Sequence, residues 1–225
     1  MGLTIHYSLK TGTESKTRAA AKALIEKLHE RARGLLFDSV TEVFEFAGAA
    51  ECDYENPANE EHRGLLIEAT LPLKNHRVKP NHIIAFVALP GEGCESASFG
   101  LSHYPPEFGP WNDADMPMYN WSWGTFCKTQ YAANAENGGI SNFLHCHLTV
   151  IEMLDYAKRE LGILDSVTDE GHYWEKRDLK ALVERVGGEW NGAVASLATL
   201  IRNTLDGKID SGSPNFDYRT AGNKT

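Results

Sequence analysis

Hydrophobic and polar positions alternate at the start of the chain. Ile5, Tyr7 and Leu9 are set against Thr4, His6 and Ser8, the period of two that half-buries a strand. After Thr11-Gly12-Thr13 the period lengthens. Ala20, Leu24, Leu28 and Ala32 recur at helical spacing, and Gly34 stands where a helix stop is favoured. Val40 to Phe46 then reads as a strand, which closes a β-α-β unit. Further strands are expected at Leu65–Leu71, Ile83–Leu89 and Ala97–His103.

The pattern changes again at residues 141–162, SNFLHCHLTVIEMLDYAKRELG. His145, Cys146 and His147 stand in a row there and raise the question of a metal site. Successive residues on a helix are about 100° apart, so His145 and His147 point to nearly opposite sides unless the stretch is a strand. The remaining residues decide for a helix over Leu144–Leu161. Met153, Cys146, Ala157, Val150, Leu161, Leu154, His147 and Ile151 share one arc, with Lys158 at its edge. Asp155, Arg159, Glu152, His145, Tyr156 and Thr149 share the other. Ser141 can cap the start and Gly162 can end the helix. No metal site is expected from this triplet. His147 alone stands out, because an imidazole on an apolar arc needs a partner for its ring nitrogens.

Beyond it, Asp178 is a good cap for a helix over Leu179–Val186, Gly187-Gly188 interrupts, and Trp190 to Leu205 is amphipathic. The resulting expectation is an α+β fold, mainly an antiparallel sheet opened by a β-α-β unit, with a helical C-terminal third. One domain covers residues 1–205: strand-rich 1–104, an aromatic loop 105–125, and helix-rich 126–205. Residues 206–225, rich in Gly, Ser and Asn, read as a flexible C-terminal tail.

Composition narrows the function classes. The 225 residues carry 31 acids against 22 Lys and Arg, a formal charge of -9, so nucleic acid is not the expected partner. No apolar run is long enough to span a bilayer, and the first residues lack a signal-peptide layout. Four Cys without CxxC spacing read as reduced thiols, and a cytoplasmic setting follows. An acidic loop, Glu51–Arg63, and a basic one, Lys74–His82, read as solvated connections. Between Tyr104 and Trp123, the aromatics Trp111, Tyr119, Trp121 and Trp123 either pack on the domain or line a groove.

Two stretches concentrate polar chemistry. In FCKTQYA, 126–132, Lys128 and Gln130 share a side if the stretch is extended. Lys can hold a carboxylate or phosphate, and Gln offers a donor and an acceptor. Cys127 next to Lys128 suggests an activated thiolate, against the plainer reading of a buried Cys. In VTDEGHYWE, 167–175, Asp169, Glu170, His172 and Glu175 could serve a cation or a general acid–base step. The plainer reading is a turn in which Gly171 takes positive φ. Asp169 and Glu170, being adjacent, are not expected to face one site. GxGxxG, P-loop, HExxH and GxSxG motifs are absent, so no cofactor is expected.

The blocks TIHY (4–7), Cys94-Glu95, KTQYA (128–132) and DEGHYWE (169–175) occur in that order. In this the chain resembles a group of bacterial proteins sharing TIHY-, KTQ(F/Y)A- and DEGxYWE-like blocks, to which no reaction is attached. The resemblance points to Lys128, Gln130, Asp169, Glu170, Tyr173 and Trp174. The leading expectation is a polar groove between the last two blocks. Lys128, Asp169 and Glu170 would be catalytic, and Gln130, Tyr173, Trp174 and His147 would bind an anionic or carbonyl ligand, with hydrolysis as the enzyme version. The alternative is a non-catalytic module that binds a partner protein through its acidic surface and aromatic loop.

Overall fold

The first strand, β1 (Thr4–Lys10), sits inside the sheet, and its alternation is what one buried face requires. The computed structural model describes residues 3–12, 17–71, 76–104, 121–188 and Gly192. Ile5, Tyr7 and Leu9 are buried toward the helices, while His6 is exposed on the other face. Helix α1 (Arg18–Arg33) follows, capped by the Thr17 side chain, which accepts from the Ala20 N–H at 3.2 Å. Its buried stripe is Ala21, Ile25, Leu28 and Ala32. A strict four-residue repeat through Ala20 and Leu24 drifts around the helix, and steps of four, three and four keep to one face.

The expected strand at 40–46 is split into β2 (Ser39–Val40) and β3 (Phe44–Ala47). Of the expected strand at 65–71, only Ala69–Leu71 is extended, as short β4, which pairs with β5 (His76–Val78), while Leu65 ends a 3₁₀ segment, Pro57–Leu65, and 66–68 are irregular. Pro57 at its start and the Asn56 side chain accepting from the Ala58 N–H at 3.1 Å set the turn. Then come β6 (His82–Leu89), β7 (Ala97–His103) and β8 (Ser122–Lys128). The loop expected to run through residue 125 thus ends earlier. Trp121 and Trp123 are 3% and 2% exposed, so both pack inward rather than offering a stacking platform. Trp111, Tyr119, the Trp190–Leu205 helix and the 206–225 tail lie outside the described residues, apart from Gly192.

Among the described residues, seven strands form one antiparallel sheet in the order β2–β6–β7–β8–β1 and then β9 (Leu164–Asp169), with β3 also pairing β6. Every pairing is antiparallel, so β1 and β2 run in the same direction with three strands between them. The opening β-α-β unit is therefore a wide crossover, and the α+β expectation holds. Phe86 and Phe99 stack at 5.6 Å, Phe99 and Tyr7 at 5.5 Å, and His29 of α1 meets Phe86 edge-on, which places the helices on that face.

Helix α2 (Gly139–Arg159) spans the predicted amphipathic stretch, but it begins at Gly138 with no side-chain cap, and Ser141 lies inside its first turn. Gly162, at φ 63, follows its end. The strand β9 interrupts the expected helical third, and α3 (Tyr173–Lys176) and α4 (Leu179–Arg185) complete it. Asp178 caps α4 through the Ala181 N–H at 3.0 Å. Leu182 and Val183 of α4 close a second small core with Leu3, Ala132, Phe143, Leu144 and Cys146. Among the described residues no helix is long and apolar enough to cross a membrane.

Candidate functional site

The four sequence blocks meet at one end of the sheet. Thr4 pairs with Lys128 on one side, and on the other Glu170 donates its N–H to the Thr4 carbonyl at 3.1 Å. The Glu170 carboxylate then accepts the Thr4 N–H at 2.9 Å. Glu95 joins from the β6–β7 turn, its carboxylate accepting the Lys128 N–H at 3.2 Å. Lys128 and Glu170 thus flank Thr4 on its two neighbouring strands, about 10 Å apart at two strand spacings. The Lys128 ammonium lies 4.7 Å over the Tyr131 ring and donates to its hydroxyl at 3.2 Å. Gln130 opens a 3₁₀ turn, Gln130–Ala133, half-buried.

Asp169 belongs to the opposite face, because it pairs with Ile5 rather than Thr4. Its carboxylate accepts from the Gly171 N–H at 2.7 Å, the Trp174 N–H at 2.9 Å and His147 Nε2 at 3.3 Å. A carboxylate only accepts, so Nε2 carries the proton. On the other side of the ring, His147 Nδ1 meets the Thr129 hydroxyl at 3.0 Å. Burial pushes the Asp169 carboxyl up, but the bonds from His147, Trp174 and Gly171 outweigh it and hold the group below its usual range. Tyr173 meets the His147 ring edge-on at 6.5 Å, and the Trp174 ring lies between Lys158 at 5.5 Å and Arg177 at 4.6 Å. Thr129, His147 and Asp169 are all sealed from solvent. The row resembles an acid–base triad in connectivity, yet no substrate reaches it.

The structure therefore gathers His147, Asp169 and the half-buried Tyr173 and Trp174 on the helix side, and leaves Lys128 and Glu170 on the other face, apart from each other on either side of Thr4. His147 and His145 diverge as helix geometry requires. His145 is half-buried, not a surface residue: burial lowers its pKa, while Asp38 and the carbonyls of Leu36 and Pro90 oppose that shift. Gly171 does not take positive φ. The left-handed residue is His172, at φ 60, and Gly171 is needed because a Cβ would stand 2.7 Å from Leu182 Cδ1 and 3.0 Å from Asp169 Oδ1. Cys127 is fully buried, and burial pushes its thiol far up, the opposite of an activated thiolate. The basic loop closes on the acidic one, Lys79 Nζ reaching Asp53 at 2.7 Å and Glu55 at 3.1 Å.

A second polar cluster lies at the other end of the sheet. His82 and His103 face each other across β6 and β7. His82 meets the indole of Trp121 edge-on at 5.3 Å, and His103 meets it tilted at 5.4 Å. His82 Nε2 lies 2.8 Å from the Glu45 carboxylate, which also takes Arg18 Nε at 2.5 Å and Lys22 Nζ at 3.1 Å from one face of α1. His103 Nδ1 lies 2.9 Å from the Asn81 side-chain oxygen. Each acceptor fixes one protonated ring nitrogen, and His82 Nδ1 and His103 Nε2 have no hydrogen-bond partner among the described residues. The hydrogen bond from Arg18, with those from His82 and Lys22, holds the Glu45 carboxyl down at about 2. Burial, and then the neighbouring His82, lower His103 below the usual imidazole range. Next to this cluster, Thr11 donates its N–H to the Trp121 carbonyl at 2.9 Å, and its buried hydroxyl has no partner among the described residues.

Sequence reasoning missed this cluster because its members are scattered over residues 11–121, on strands, on α1 and in connections, and none departs from its local pattern. The one available signal was the appearance of His82 and His103 at the ends of two adjacent strands. No family model matches the chain, and no curated protein and no solved structure matches it either.

Proposed function

We propose that the chain binds a small anionic or carbonyl ligand at the His82–His103 end of its sheet and acts on it by proton transfer, with hydrolysis as the reaction class. The observation that carries this reading is the pair of imidazoles, each held by an acceptor on one nitrogen and without a hydrogen-bond partner on the other among the described residues. Glu45 orients His82 and would stabilise the imidazolium once Nδ1 has taken a proton from water. His103, lowered by burial and by His82, is neutral near pH 7 and is thus a base or a hydrogen-bond acceptor for substrate. Arg18 and Lys22 leave the surroundings cationic, which favours an anionic or polarised ligand. A cytoplasmic setting, with reduced thiols, goes with this reading.

The test is a panel of p-nitrophenyl esters and phosphates assayed with the wild-type chain and with His82→Gln. Proton transfer by a positioned side chain contributes about 10²–10⁴-fold. Turnover of at least one compound, falling by about 10²-fold or more in a folded His82→Gln, supports the reading. Equal rates in the two proteins reject it.

A second reading, the non-catalytic interaction module, is favoured by the open face of β8 and β1. Phe126 there is 51% exposed and Tyr131 nearby 48%. The two readings divide on turnover, since a module acting only through that face hydrolyses nothing in the panel.

A further inference from the structure

Three of the four cysteines converge on the turn between β6 and β7. The turn closes where Cys94 donates its N–H to the Gly91 carbonyl at 3.2 Å, with Gly93 at φ 77. Helix α2 is fastened against it. Asn142 Nδ2 donates to the Glu92 carbonyl at 2.8 Å, and a Cβ on Gly91 would stand 2.7 Å from Cys146 Sγ. The Cys94 side chain packs on the small core in which Cys146 is fully buried, and the Cys146 thiol donates to Asn142 Oδ1 at 3.6 Å. Cys127 is close by, but it is fully buried and its thiol is turned to the Glu95 carbonyl at 3.1 Å. Cys52 is buried elsewhere, against the Phe46 carbonyl at 3.6 Å. Of the four, Cys94 alone has solvent access.

We infer that Cys94 and Cys146 form a reversible dithiol–disulfide site whose co-substrate is a low-molecular-weight disulfide. Exposure makes Cys94 the entry thiol. The neighbouring Cys94 thiol, followed by burial, pushes the Cys146 thiol far up, so Cys146 keeps its proton through the first step. The Cys94 thiolate attacks one sulfur of the small disulfide RSSR and expels RS⁻, leaving a mixed disulfide on Cys94. Cys146 then gives its proton to the expelled thiolate and attacks the Cys94 sulfur, expelling the second RS⁻, which takes up the proton first lost by Cys94. Two protein thiols have lost two hydrogens, and RSSR has become two RSH. The new bond ties the β6–β7 turn to α2. It also removes the thiol proton that Cys94 directs at the Thr129 carbonyl, 4.0 Å away and next to the buried His147.

This inference is independent of the proposed hydrolytic site. Its test is incubation of the native full chain with oxidised glutathione, followed by alkylation and peptide mapping without reduction. The expected product joins the Cys94 and Cys146 peptides, leaves Cys52 and Cys127 alkylated, and reverts with dithiothreitol. In Cys146→Ser the reaction should stop at glutathione on Cys94, and in Cys94→Ser no cysteine should react. Because Cys146 is buried and Cys94 half-exposed, the wild type and Cys94→Ser decide the matter if Cys146→Ser does not fold. A wild-type chain that stops at the mixed disulfide, pairs Cys94 with Cys127, or does not react while folded overturns the inference.

Discussion

His147 Nε2 and Asp169 Oδ2 stand 3.3 Å apart with both side chains fully buried, and this contact joins α2 to the last strand of the sheet. Breaking a buried, hydrogen-bonded pair from one side leaves the other polar group without compensation, which costs about 3–5 kcal/mol. Asp169→Ala is expected to fall in that range, since it also strips the acceptor from the Gly171 and Trp174 N–H groups. Thr129→Val, which removes one hydroxyl, should cost about 1–3 kcal/mol. Urea unfolding at pH 7 measures both. An Asp169→Ala loss below that of Thr129→Val would refute the assignment.

The same carboxylate gives acid sensitivity a definite sign. Its folded pKa lies below the ordinary aspartate value, so folding favours the charged form. The stability it contributes is fully present above the unfolded pKa of about 3.9 and is lost as pH falls through the lower folded value. Glu45, held at about 2, acts in the same direction and the same window. The urea midpoint of the wild type should therefore drop more steeply between about pH 4 and 2 than that of Asp169→Asn, measured at matched ionic strength.

Gly171 and Gly124 offer a paired test of close packing. A Cβ at Gly171 meets Leu182, Asp169 and His147 within 3.3 Å, whereas Gly124 on β8 has nothing within 4 Å. Gly171→Ala should destabilise by about 1–3 kcal/mol through overpacking. Gly124→Ala should be neutral, or stabilising by about 0.4–1 kcal/mol. Thermal unfolding of the two variants, side by side, reads the difference.

Arg177 holds Asp155 with two bonds of 2.7 and 2.8 Å while its guanidinium lies 4.6 Å over the Trp174 ring. Arg159, at the i, i+4 position on the same helix, is not the partner Asp155 takes. A lysine keeps the charge but loses the planar fork and the stacking. Arg177→Lys should cost about 1 kcal/mol, and Arg159→Lys close to nothing, by chemical denaturation.

Much of the frame was legible in local pattern. The alternation of β1, the amphipathic arc of α2, the Asp178 cap and the divergence of the two His residues all follow from periods of two and 3.6. The idea that His147 needs a partner was also legible, and the partner came from the DEGHYWE turn. What the pattern could not carry was facing across non-local strands. Adjacency alone says that Asp169 and Glu170 do not face one site, but not which face of the sheet each takes. The pairing of Asp169 with Ile5, and of Glu170's neighbour Thr4 with Lys128, puts them on opposite faces. The His82–His103 cluster depends on a register between β6 and β7 and on β3 joining the same sheet, facts that no local window contains.

The central claim is that chemistry belongs to the His82–His103 end and not to the KTQYA–DEGHYWE end. The direct measurement is the turnover rate of His103→Gln against Lys128→Met on whichever panel compound the wild type hydrolyses, with folding checked by circular dichroism. The account predicts a loss of about 10²-fold or more in His103→Gln, and a wild-type rate in Lys128→Met. It also predicts an acid limb in the wild-type profile below the ordinary imidazole pKa of about 6.5, because His103 titrates low. A folded His103→Gln at full rate, or a Lys128→Met that loses activity while His103→Gln keeps it, would contradict the account.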